Sequence, residues 1–348
     1  MFGNIEIPDA ISPQELDLYL EAGWFRMGQT IFTCNFLHFD NTFYSAIWLR
    51  HNLENYSEDE SFEKLKKQNK KFSIVIRPAI IDKEKEQLYE LYKTNIKFET
   101  ANSLQDLLLG QSTNSIYSTQ EISIYHKNLL IAVGYFDIGD SSAMGIVSFY
   151  HPDYKKYSLG KFIIMNKIAY CKKLELKYFY PGYFAPSYSA FDYKLKIAST
   201  DLEFLNFCTN EWMGIRFFSK EHILINIMEK QLATAKDYLA DNGYKILYRK
   251  YEFYNANHTP QFKGYQLFDF PIFLIIVSAD EQGFAPILVY DVSDKCYKIF
   301  KCIGYPCSVT IPASAEYYRA SLLKVREEMI ASPHLEIILA QLQKLSKV

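Results

Sequence analysis

Cysteine is scarce and unpaired in this sequence. Cys34, Cys171, Cys208, Cys296, Cys302 and Cys307 are scattered over 348 residues, and no CxxC spacing occurs. A chain this long buries a core without covalent staples, so a disulfide framework is excluded as the basis of the fold. Cys34 and His38 stand four apart, but no second pair accompanies them. Chance accounts for a lone pair, and no metal is expected. No apolar run, Phe270–Val277 included, approaches the roughly 20 residues of a membrane-spanning helix. Residues Met1–Asp9 carry acids and no basic, apolar leader, which predicts a cytoplasmic, reduced setting. Residues 213–348 hold neither a glycine-rich phosphate loop nor a nucleophile elbow. Charge of one sign is also lacking. The formal net charge is −2, so any nucleic-acid contact must rest on a local patch.

What the chain has in plenty is aromatic. Its 28 Tyr, 26 Phe and 3 Trp make up 16% of residues, and such side chains bury large areas and favour strands. Hydrophobic residues at 49% and charged residues at 22% exclude a disordered or coiled-coil chain. The length predicts two or three compact units.

Ser12-Pro13-Gln14-Glu15 opens a helix as a capping box, with Leu16, Leu18, Tyr19 and Leu20 as its apolar side and Gly23 at its end. Strands are expected at Ile31–Phe36, Phe43–Arg50 and Phe72–Pro78, and helices at Asp59–Lys71, Asp82–Thr94 and Ser103–Leu109. Three strands follow (Ile122–Tyr125, Leu129–Phe136, Ala143–His151), then a helix over Ser158–Leu174 and a strand from Tyr178. Beyond residue 212 the pattern predicts a helix over Glu221–Leu239 and strands at Phe273–Val277, Pro286–Val292 and Tyr297–Cys302. Closing helices are expected over Ser314–Ile330 and Leu335–Leu345.

One block orders five short motifs. Asp137 ends a strand, and Tyr150-His151-Pro152-Asp153-Tyr154 ends the next. Ser158-Leu159-Gly160 starts a helix, Leu176-Lys177-Tyr178-Phe179-Tyr180-Pro181-Gly182-Tyr183 follows as a strand, and Tyr193-Lys194 closes the series. In order and spacing this series resembles the C-terminal half of the arginyl-tRNA–protein transferases, including their bacterial leucyl branch. Gly23-Trp24-Phe25-Arg26-Met27-Gly28 is similar to the family's G-F-R-R-S-G. The resemblance covers roughly residues 16–212. It implies a GNAT-like acyltransferase fold: α/β (α+β), a mixed, mostly antiparallel sheet with flanking helices. The expected domains are a transferase region at 1–80, a core at 81–212 and an additional α/β domain at 213–348. The family's cysteine cluster after the glycine-arginine motif is missing, since Thr33–Asp40 holds Cys34 alone. One thiolate cannot build such a site, so neither metal nor cofactor is expected.

The resemblance implies transfer of arginine or leucine from aminoacyl-tRNA to the α-amine of an acidic protein N-terminus, an N-degron tag. It suggests Asp137, Tyr150 and His151 as catalytic residues and Arg26, Tyr180 and Tyr183 as substrate-binding residues. Ser158, Lys155, Lys156 and Lys194 would contact tRNA. The residues themselves leave plainer roles open: an ion pair for Arg26, a turn for Asp137, an N-cap for Ser158, core packing for the tyrosines and a surface place for Lys194. Charge offers a separate signal. Residues 151–200 hold nine lysines against three acids, and residues 61–72 hold five lysines against Glu63. Phosphate contacts need such patches, although solvated helix faces produce them too. Two other readings stand beside the transferase: an acetyl-CoA-dependent N-acetyltransferase, and a non-catalytic module that binds tRNA or protein. The single glycine of Ser158-Leu159-Gly160 weakens the former, because a pyrophosphate cradle uses two or three.

Overall fold

The computed structural model describes all residues except 1, 55, 57, 97–99, 263, 278–285, 307–315 and 346–348; Cys307 and the start of the helix expected from Ser314 lie outside the described residues. In chain order the first part runs β1 (Gly3–Glu6), α1 (Pro13–Glu21), β2 (Phe25–Met27), β3 (Thr30–Cys34), β4 (Phe36–Phe39), β5 (Thr42–Ser45), β6 (Ile47–Asn52), α2 (Glu60–Asn69), β7 (Ser73–Pro78), α3 (Lys83–Lys93) and α4 (Leu104–Leu108). The middle holds β8 (Thr119–His126), β9 (Leu129–Ile138), β10 (Ser142–Tyr150), α5 (Leu159–Lys173), β11 (Tyr178–Phe184), β12 (Leu202–Asn206) and β13 (Glu211–Gly214). The remainder is α6 (Leu224–Asp241), β14 (Lys245–Tyr251), β15 (Ile272–Val277), β16 (Ile287–Asp291), β17 (Cys296–Pro306), β18 (Tyr317–Tyr318), β19 (Ser321–Ser332) and α7 (Leu335–Leu345).

Eight strands form one sheet in the order β13-β12-β6-β11-β10-β9-β8-β7. Its pairings are antiparallel except β10 with β11. The run β8-β9-β10-α5-β11 is therefore an antiparallel meander, a crossover helix and a parallel strand, the GNAT-like order expected from the sequence. Strand alternation sends neighbouring residues to opposite faces. Phe136 and Ala132 pack against Phe162, Ile163 and Ile168 of α5, while Val133 and Tyr135 pack against Leu88 and Tyr89 of α3. Residue 80 marks no break, because β6 and β7 belong to the same sheet as β8–β13.

The capping box of α1 forms as expected, with Ser12 accepting from the Glu15 backbone. Leu16 and Leu20 are buried, whereas Leu18 faces out. The strand expected over Phe43–Arg50 is two strands. The chain changes sheets at Ala46, whose N–H donates to the Asn35 carbonyl; β5 pairs with β4, and β6 pairs with β11 and β12.

The second large sheet, β18-β14-β15-β16-β17-β19, is built wholly from residues after 244, with α6 and α7 in its core. The helix expected to end at Ile330 is in fact β18 and β19. Leu, Lys, Arg, Glu and Met favour a helix locally, but Ser321–Ser332 pairs along the length of β17, and that ladder overrides propensity. The same core takes in Phe2, Phe36 and Phe43 from the first part of the chain. Hydrogen bonds cross the junction too, from Phe2 N to Asp269 (2.6 Å), Ile225 N to Ser45 Oγ (3.0 Å) and the Tyr254 hydroxyl to the Phe36 carbonyl (3.2 Å). Among the described residues no helix is long and apolar enough to cross a membrane.

Candidate active site

β2 lies across the sheet where β10 begins, with the Arg26 N–H on the Met144 sulfur at 3.4 Å. From there the Arg26 guanidinium reaches into β9. Its Nη1 donates to both oxygens of Asp137 (2.8 and 3.0 Å) and to Thr119 Oγ1 (2.9 Å). Nε donates to the Gly28 carbonyl at 2.8 Å, and Nη2 donates to the Leu108 carbonyl. The Tyr117 ring covers the guanidinium carbon at 4.4 Å. Both partners are shielded from water, Asp137 completely. Burial pushes the Asp137 carboxyl up, and the Arg26 charge and Thr119 hydroxyl pull it back.

Beside this pair opens a cleft of ≈ 430 Å³. Pro78, Ala79, Ile81, Leu108 and Leu109 give it aliphatic walls, Tyr117 and Arg26 line it, and Gln105, Thr113, Asn114, Ser115 and Thr119 supply its polar groups. No carboxylate is among the residues that line it.

β10 and β11 pair only through Ser142–Met144 and Tyr178–Tyr180. Beyond that both strands continue apart, and each slips register with its outer neighbour, β10 between Gly145 and Val147 and β11 between Phe179 and Gly182. Tyr150 lies at the far end of β10, six residues beyond Met144, so about 20 Å of strand separates it from the partner of Asp137. The expected trio is thus not one cluster. The Tyr150 ring meets Tyr92 at 5.7 Å and stands near Gly160 of α5. His151 begins the short turn Pro152–Tyr157, accepting from the Asp153 N–H at 3.3 Å. Tyr180 is buried, with its hydroxyl on Glu21 at 3.2 Å. The Tyr183 ring packs edge-on against Trp48 at 5.1 Å.

Lys194 is set into the wall beside the open stretch of β11. Its Nζ donates to the Tyr183 carbonyl at 2.7 Å and sits 3.3 Å from where a Gly182 Cβ would be. No carboxylate among the described residues pairs with it, and burial pushes its pKa down to about 7. Residue 194 as a whole is half-buried.

The two lysine-rich segments meet in space. Gln68 donates to the Lys156 carbonyl at 2.9 Å, Lys71 to the Tyr157 hydroxyl at 2.7 Å and Lys161 to Ser61 at 2.6 Å. Lys155, Lys156 and Ser158 are exposed there. Ser158 takes a left-handed conformation (φ 50°), and its side chain does not cap α5, contrary to the N-cap reading. Not every lysine counted in the sequence belongs to this face. Lys167 is buried, and Lys172 bonds the Leu53 and Glu54 carbonyls. Charge counting could not separate these. Among the described residues no group of three or more His, Cys, Asp or Glu could hold a metal.

Residues 84–204 match the family described as arginine-tRNA-protein transferase, C terminus. An aspartate/glutamate leucyltransferase of Leptospira interrogans is 26% identical over 220 residues, 62% of this chain and 84% of that protein. One from Campylobacter jejuni is 28% identical over 151 residues, 42% of this chain and 63% of its own length. Among solved structures, FemX aligns at TM-score 0.35 and 8% identity, covering 58% of this chain and 69% of FemX. A tandem GNAT protein from the clavulanic acid biosynthesis pathway aligns at 0.29 and 10% identity, covering 56% and 58%.

Proposed function

We propose that this chain, a member of the arginyl-tRNA–protein transferase family by residues 84–204, moves leucine from leucyl-tRNA to the α-amine of proteins beginning with aspartate or glutamate. The curated relatives carry leucyltransferase names. The observation that favours leucine over arginine is the cleft beside Arg26 and Asp137. Its walls are aliphatic and no carboxylate lines it. An arginyl side chain would bring a second guanidinium towards Arg26 with nothing to neutralise it, and an unpaired charge removed from water is costly. A leucyl side chain meets only apolar and neutral groups.

The chemistry asks little of the protein beyond placement. The donor is an ester, already activated, and the acceptor amine has a pKa of about 7.7–8.0, so part of it is neutral at cytoplasmic pH. Holding amine and ester in line is worth several kcal/mol, on the order of 7–11 in well-oriented systems. In this reading the ester lies in the gap between β10 and β11, with its leucyl group in the cleft beside the Arg26–Asp137 pair. The exposed face of Lys155, Lys156 and Ser158 takes tRNA phosphates. Tyr150 and His151, about 20 Å along β10 from the partner of Asp137, are out of reach of an ester whose acyl group sits in that cleft. They border the tRNA-phosphate face, and the proton of the attacking amine passes to water. Lys194 offers a cation without an acid partner to an anion entering the gap, whether a phosphate or the acceptor's carboxylate. Tyr180 and Tyr183 frame the floor. The product would be an N-degron made in the cytoplasm.

The test charges total tRNA with labelled leucine or labelled arginine and offers peptides beginning with Asp, Glu, Lys or Ala, with acetyl-CoA as a parallel donor. Leucine on the Asp and Glu peptides alone is the expected result. Arginine transfer would overturn the donor assignment. Acetylation in place of aminoacylation, or silence from folded protein, would overturn the transferase.

A further inference from the structure

Helix α5 sends one charged side chain into the sheet it covers. Lys167 is 2% exposed. Its Nζ donates to the Tyr135 carbonyl (2.7 Å), the Val147 carbonyl (3.0 Å) and Ser148 Oγ (3.2 Å). Room for it comes from Gly134. A Cβ there would lie 2.3 Å from Ile163 Cγ2 and 2.9 Å from Lys167 Cε. No carboxylate among the described residues lies within ion-pair range. Asp137 and Cys171 are the titratable neighbours that act on the ammonium, and burial pushes it down to about 7.

As a stabiliser this is a poor choice, since an apolar side chain would pack here without the cost of desolvating an amine. Its partners explain its presence. They flank the place where the β9–β10 register slips, between Gly145 and Val147. A bulge interrupts the ladder and leaves its extra residue unpaired, and a buried carbonyl left without a donor is costly. The extra residue is Ile146, and Lys167 donates right beside it, to the carbonyls of the facing pair Tyr135 on β9 and Val147 on β10 and to Ser148 Oγ. The bulge comes two residues after Met144, the last residue of β10 that pairs with β11.

We propose that Lys167 is a positioning residue for the transfer, pinning the β10 bulge to α5 and β9 so that β10 leaves β11 at a fixed point and the gap keeps one shape. The kinetic consequence rests on the transferase reading; the tie itself does not. Lys167→Met removes the donors and keeps an unbranched side chain, while Lys167→Gln keeps a donor. Hydrogen exchange of residues 142–150 is compared with that of Ile272–Val277 in the other sheet, alongside kcat and KM for aminoacyl-tRNA. In Lys167→Met the 142–150 segment should exchange faster with Ile272–Val277 unchanged, and kcat should fall about 100-fold, the cost of a misplacement near 1 Å, with KM for the tRNA held. Lys167→Gln should recover part of both.

Unchanged exchange at 142–150 overturns the tie. A kcat within twofold of the parent overturns the positioning role, and equal acceleration in both sheets reduces Lys167 to a general stabiliser. If Lys167→Met does not fold, Lys167→Gln decides by the same two measurements. If the parent protein transfers nothing, the transferase reading fails, and the exchange comparison still decides the tie.

Discussion

Replacing Asp137 by asparagine would leave the Arg26 guanidinium in its buried place without the carboxylate that takes two of its hydrogen bonds. A buried charge stripped of its partner costs about 3–5 kcal/mol, and urea denaturation of Asp137→Asn should show a loss of that order. Arg26→Lys should not restore stability, because one ammonium cannot reach the Gly28 and Leu108 carbonyls, Thr119 and Asp137 together. A second residue sets a pH dependence. His51 is buried, and burial pushes its pKa down to about 4 against a smaller opposing pull from the Ala198 backbone. Between about pH 6.5 and pH 4 the unfolded chain binds a proton that the folded chain refuses. Stability should therefore fall as the pH drops through that window, by up to about 3 kcal/mol, and level off below it. His51→Phe should flatten the slope in denaturation series across those pH values. Arg26 and Asp137 stand out in the sequence as motif residues. Their union does not, because 111 residues separate them and only the crossing of β2 over the sheet brings them together. Lys167 reads as one more surface lysine, since nothing local marks a lysine whose helix face is buried.

Elements whose signals are local are legible in the sequence. For α1 the cap, the proline and the apolar spacing lie within ten residues, and Ser12→Ala should cost about 1 kcal/mol, measurable by thermal denaturation. The helix α5 and the strands β8–β10 likewise follow from their patterns. β19 does not, because its evidence lies in β17, and Arg326, Glu327 and Glu328 remain exposed along it. The short strands β1, β4, β12 and β13 are too brief for any period to show. Gly134 joins two elements. Gly134→Ala would drive a methyl into Ile163 and Lys167, and such overpacking costs about 1–3 kcal/mol. Calorimetry should register it, although the residue sits in a strand where alanine has the better propensity.

At the scale of the whole molecule, the core beneath the second large sheet is incomplete without Phe2, Phe36 and Phe43. Phe43 packs on His38 at 4.6 Å and on Tyr254 at 5.2 Å. Phe43→Ala should cost about 3–5 kcal/mol and weaken both parts together. Trp24, Trp48 and Trp212 all precede residue 213, so fluorescence follows the first part and circular dichroism the whole. The two thermal midpoints should coincide in the parent and shift together in the variant. Separate midpoints would mean that the parts unfold independently. The sequence shows a change of character near residue 212 and says nothing of this junction, because aromatic residues in a short hairpin do not reveal what will cover them. The junction also sets a schedule for the ribosome. Phe2 is bonded to Asp269, 267 residues later, and at about 5–20 residues per second the nascent chain needs roughly 15–50 s to supply that partner. Until then Phe2, Phe36 and Phe43 wait without the core that covers them, available to any chaperone that reads exposed aromatic surface.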